Sequence, residues 1–155
     1  MNFQISGLPL AEFQPLFTLT DAALAERGIL RRTADKCPGF PCRVSLLDAE
    51  PDERVLLLNY EHLSVTSPYR SRHAIYVREN AVQAHLAVNE VPQLLATRLL
   101  SLRAFDNAGM MRAADVVQGK DIVPVIEGML KDVEVAYLHV HNAKPGCFAA
   151  RVDRA

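Results

Sequence analysis

Side chains able to do chemistry concentrate near the carboxy end, in Val135-Ala136-Tyr137-Leu138-His139-Val140-His141 and Cys147-Phe148-Ala149-Ala150-Arg151-Val152. Both segments alternate in the period-two pattern of half-buried strands. Asn142-Ala143-Lys144-Pro145-Gly146 between them has turn composition, so an antiparallel hairpin is predicted. Burying Ala136, Leu138 and Val140 together with Phe148, Ala150 and Val152 fixes the parity of the register, because a one-residue slip turns one set outward. His141 then falls opposite Cys147, His139 opposite Ala149 and Tyr137 opposite Arg151, with paired Cβ atoms about 5 Å apart. Two imidazoles, a thiol, a phenol and a guanidinium are expected on one face.

That face supports three readings. His139, His141 and Cys147 are suitable ligands for Zn²⁺ or a similar transition metal, since His-x-His on a strand presents both rings to the same side. Alternatively, an imidazole beside Cys147 activates the thiol as a nucleophile, with His139 or Tyr137 handling protons. In the third reading the residues are structural, the polar half of a sheet whose other half is buried. A second group, Ser67-Pro68-Tyr69-Arg70-Ser71-Arg72-His73, sets Tyr69, Arg70 and His73 at the mouth of a strand. Guanidinium suits bidentate capture of carboxylate or phosphate, so Arg70, Arg103 and Arg151 are candidate contacts to a small anion. His62 and His85 are expected to be exposed. No Gly-x-Gly-x-x-Gly, Gly-Lys-Ser/Thr phosphate loop or Gly-x-Ser-x-Gly elbow occurs, which removes the usual nucleotide and hydrolase signatures.

The elements that must position these residues follow from pattern and punctuation. Phe3 and Ile5 mark a short strand. Thr20 caps a helix over Ala22 to Gly28, where glycine suits the left-handed stop. Strands are predicted at Ile29 to Ala34, Arg43 to Leu47, Arg54 to Tyr60 and His73 to Arg78, with 43–47 and 54–60 as a hairpin and Glu61 to Arg72 as a long loop. Ala81 to Ala87 is weakly helical, and Pro92 opens a short helix to Thr97. Leu99 to Phe105 and Met110 to Val117 form a hairpin around Asp106-Asn107-Ala108-Gly109. Asp121 to Leu130 gathers Ile122, Val125, Ile126, Met129 and Leu130 on one helical face. Hairpins outnumber helices without βαβ alternation, so the fold class is α+β: one domain over residues 1–155, built on a mostly antiparallel curved sheet with a few short helices.

Composition agrees with a folded globular chain. Of 155 residues, 50% are hydrophobic and 23% charged, with net charge −1. That balance lacks the basic excess of a nucleic-acid binder, and no apolar run is long enough for a membrane span. Three cysteines make an odd number, which argues against a disulfide framework and for the reducing cytoplasm.

Several segments resemble a family of short bacterial proteins known only as a domain of unknown function, number 1203 in its series. They include Gly39-Phe40-Pro41-Cys42-Arg43-Val44-Ser45-Leu46, Leu57-Leu58-Asn59-Tyr60-Glu61-His62, Ser67-Pro68-Tyr69-Arg70 and His73-Ala74-Ile75-Tyr76-Val77-Arg78-Glu79. Leu102-Arg103-Ala104-Phe105-Asp106, Tyr137-Leu138-His139-Val140-His141-Asn142-Ala143 and Gly146 to Arg154 complete the likeness. The resemblance implies a bacterial single-domain protein and supplies no activity, cofactor or catalytic residue. The functional expectation is a small-molecule binding protein or small enzyme with a His/Cys/Arg pocket for a small anionic ligand. The alternative is a non-catalytic interaction or oligomerisation protein using the same sheet face.

Overall fold

Alternating apolar residues and turn signals produce eight strands and three short α-helices in the computed structural model, which describes residues 1–155. In chain order these are β1 (Phe3–Ser6), α1 (Asp21–Glu26), β2 (Leu30–Thr33), β3 (Arg54–Leu63), β4 (Ser71–Arg78), α2 (Gln93–Ala96), β5 (Leu99–Phe105), β6 (Met111–Gln118), α3 (Ile122–Leu130), β7 (Tyr137–Asn142) and β8 (Phe148–Arg154). The fold is α+β. Its strands divide into two antiparallel sheets, of order β1-β8-β7-β5-β6 and β2-β3-β4, with few short helices, as the hairpin pattern predicts.

Local chemistry explains the boundaries. Thr20 accepts a hydrogen bond from the Ala23 N–H and opens α1, and Gly28 follows it at φ +71°. Asp106 Oδ1 accepts from the N–H groups of Ala108 and Met110, tying the β5–β6 turn. Arg154 donates to the carbonyls of Leu130, Asp132 and Val135, satisfying groups left open where α3 ends.

Each sheet buries one face against helices or short turns. Ile122, Ile126 and Leu130 of α3, with Leu94 and Leu95 of α2, pack on Leu100, Leu102, Ala104, Leu138, Val140, Ala150 and Val152 of the five-stranded sheet. Leu56, Leu58, Ile75 and Val77 of the small sheet form a second core with Phe13, Leu24 and Phe148 of β8. Phe148 thus joins the small sheet to the opposite face of the large one. That second face carries the histidines.

Three expectations are corrected. Residues 43–47 form a turn-rich loop rather than a strand, and β3 pairs with β2 and β4. The loop is held instead by Arg43, whose side chain is 1% exposed and bonds across to β8. Residues 81–87 are not helical. Tyr60 does not end its strand: β3 continues through His62 to Leu63, with an irregularity in pairing between Tyr60 and Leu63.

Candidate functional site

The β7–β8 hairpin carries the first two imidazoles, and its register differs from the simple alternation. The Asn142 N–H donates to the Cys147 carbonyl at 2.9 Å, and Gly146 takes φ +79° in the turn. His141 therefore lies opposite Phe148, Val140 opposite Ala150 and His139 opposite Arg151, with Ala149 as the extra residue of a bulge. One inserted residue reverses the parity of everything on the turn side of it. Arg151 stays on the imidazole face, as expected, but Phe148 replaces Cys147 there. Cys147 instead meets Asn142 Nδ2 at 3.5 Å and Arg43 Nη2 at 2.9 Å. The expected trio of His139, His141 and Cys147 does not assemble.

A third imidazole takes its place. His62 lies on the β3 face shared by Leu56, Leu58 and Tyr60, and its ring centroid is 5.6 Å from that of His139 and 4.9 Å from that of His141. One ring nitrogen from each of His62, His139 and His141 lies within 4.8 Å of the other two. His139 and His141 are 2% and 1% exposed. The expectation that His62 is exposed is overturned, whereas His85 is exposed.

Aromatic walls dehydrate the cluster. Phe148 stacks parallel to His62 at 5.2 Å and meets the rings of His139 and His141 edge-on. Phe105 and Tyr137 close the other side of His139 at 5.4 and 5.3 Å. Burial disfavours the imidazolium form. It pushes the pKa of His62 down to about 4, with Arg103 and His73 adding repulsion. Burial likewise lowers His139 to about 2, helped by the neighbouring imidazoles, and His141 to about 3.

Neutral imidazole has one donor and one acceptor nitrogen. His141 Nδ1 contacts the Gly146 carbonyl at 2.9 Å, so this nitrogen bears the proton and Nε2 carries the free lone pair. That Nε2 is buried without a hydrogen-bond partner, as are Nδ1 of His62 and Nδ1 of His139. Buried polar atoms ordinarily find partners, and three unpaired nitrogens in one place require an explanation. A carbonyl fixing the tautomer of a ring whose other nitrogen is free is the outer-shell arrangement typical of metal-binding histidine.

Of the remaining expected residues, Arg103 and Arg151 share the imidazole face, and Tyr69, Arg70 and His73 lie outside it. Arg103 pairs with His139 across β5 and β7 and is half-buried; burial pushes its pKa down with no carboxylate to offset the effect. Arg151 is held by both carboxylate oxygens of Asp153 and lies 4.0 Å over the Tyr137 ring. Arg70 is engaged by Glu61, which leaves its guanidinium little capacity for a ligand. Tyr69 is 37% exposed, 6.3 Å from the Phe105 ring. His73 pairs with Tyr60 and lines a separate cleft.

The match to a family model decides the chain's kinship: it covers residues 39–154 and is described as a protein of unknown function, DUF1203. The chain belongs to this family. The DUF1203 span contains all three clustered imidazoles together with Arg43 and Arg103. No curated protein and no solved structure matches the chain. No helix is long and apolar enough to cross a membrane.

Proposed function

We propose that this protein binds a divalent transition metal, zinc or a similar ion, through His62, His139 and His141, and presents it to a small anionic ligand. One observation carries the reading: His62, His139 and His141 each bring a ring nitrogen within 4.8 Å of the other two, and each of the three rings has a buried nitrogen without a hydrogen-bond partner. In a tetrahedral site with Zn–N near 2.1 Å, ligand nitrogens are ~3.4 Å apart, so ring movements of under ~1 Å suffice. Three protein ligands leave a coordination position open for a ligand, the pattern of reactive rather than purely structural zinc sites. Arg103, which forms no ion pair, places positive charge on the same face, whereas the charge of Arg151 there is offset by Asp153. With three neutral ligands the metal keeps its full charge, which favours an anion in the open position. The three free thiols, Cys37, Cys42 and Cys147, fit a reducing cytoplasmic setting for a bacterial protein of this family.

Equilibrium dialysis against Zn²⁺ followed by elemental analysis tests the reading. One equivalent is expected in the wild-type chain and a large loss of affinity in His62→Ala. His62→Ala is the most informative variant because His62 is the least buried of the three. Retention of less than about 0.1 equivalent by the folded wild-type protein contradicts a tight site.

A further inference from the structure

A cleft of about 720 Å³ is lined by none of the three clustered imidazoles. Its 16 lining residues include Arg43, His73, Arg98 and Lys144 but no aspartate or glutamate. Arg98 is already bound to Asp48, whereas Lys144 is exposed and forms no ion pair. The cleft is therefore a pocket of one charge sign, a form that attracts anions.

Of two buried side chains in its wall, one lacks a counter-charge and the other a hydrogen-bond donor. Arg43, 1% exposed, donates to the Phe148 carbonyl at 2.7 Å, to the Pro41 carbonyl and to Cys147 Sγ at 2.9 Å. It has no carboxylate partner, and burial pushes its pKa down. A guanidinium has five N–H donors, so capacity remains. Asn142, 6% exposed, turns Nδ2 toward Cys147, and its buried Oδ1 accepts no hydrogen bond. An uncompensated cation calls for an anion, and an empty amide acceptor calls for a donor.

We propose that this cleft is a second site, independent of the metal reading, for a small organic acid. Its carboxylate lies toward Arg43, and its hydroxyl or amino group donates to Asn142 Oδ1. Cys147 lines the same cleft and reports on its occupancy.

Alkylation of the full chain tests this, with modification read at each cysteine by peptide mass spectrometry. In the labelling step the Cys147 sulfur forms a bond to the reagent methylene as the carbon–iodine bond breaks; iodide leaves and the thiol proton passes to solvent. Iodoacetate carries the carboxylate and iodoacetamide is its neutral isostere. The exposed Cys37, which lies beside Glu50 and does not line the cleft, is the internal reference. The iodoacetate-to-iodoacetamide rate ratio is expected to be at least about threefold higher at Cys147 than at Cys37. Lys144→Gln, a surface change, is expected to lower the ratio at Cys147 alone. Lactate is expected to slow carboxymethylation of Cys147 more than propionate, which lacks only the hydroxyl. The proposal is overturned by equal ratios at the two cysteines, by equal protection from both acids, or by a Cys147 inert to both reagents while Cys37 reacts.

Discussion

Histidine protonation near neutral pH is cheap in water and costly between these two sheets. Unfolded histidine binds its proton near pH ~6.5, whereas His62, His139 and His141 do so only near 4, 2 and 3 in the folded chain. Between those limits the unfolded state holds more protons, so stability rises with pH. The contribution is complete above pH ~6.5 and is lost progressively as pH falls toward the folded values. At pH 5 the loss is on the order of 2 kcal/mol for each of the well-buried His139 and His141. The urea midpoint is therefore expected to drop between pH 7 and pH 5, and His139→Gln combined with His141→Gln is expected to flatten that slope. A double variant as pH-sensitive as the wild type would contradict the burial assignment. Neutral ligands also need not shed protons to bind metal. Calorimetric Zn²⁺ titration at pH 6 in two buffers of different ionisation enthalpy is expected to show close to zero protons released from the ligands.

At the scale of elements, close packing depends on a few positions. A Cβ added to Gly119 would meet the Leu95 carbonyl oxygen of α2 at 1.8 Å, with backbone on both sides of the contact. Gly119→Ala is expected to cost at least about 2 kcal/mol by denaturant unfolding, and a neutral result would show that α2 is free to move. Most elements were legible in the sequence because their signals are local: the Thr20 cap, the Asp106 turn and the apolar stripe of α3. The hairpin pairing His139 with Arg151 was legible only in part. Period two gave its two faces, but Ala149 carries no side-chain signal for a bulge, and that residue sends Cys147 to the far side. His62 was recoverable by continuing the alternation Leu56, Leu58, Tyr60 by one step. Its approach to β7 is a contact between sheets, which strand patterning does not encode. The loop around Arg43 looked like a strand because Val44 and Leu46 are buried; they pack into cores without joining a ladder.

Across the whole molecule, the metal reading makes the two sheets one thermodynamic unit, since His62 belongs to the small sheet and His139 and His141 to the large one. A ligand that binds only the folded chain stabilises it by about 2.7 kcal/mol at 100 times its Kd. For a chain of this size that raises Tm by about 5–10 °C, an increase expected with Zn²⁺ in the wild type and absent in His62→Ala. Zinc K-edge X-ray absorption on the loaded protein examines the site itself. The result expected is a first shell of three imidazole nitrogens near ~2.0 Å completed by an exchangeable oxygen ligand. A sulfur scatterer near ~2.3 Å would return Cys147 to the site and contradict the bulged register as the basis of binding.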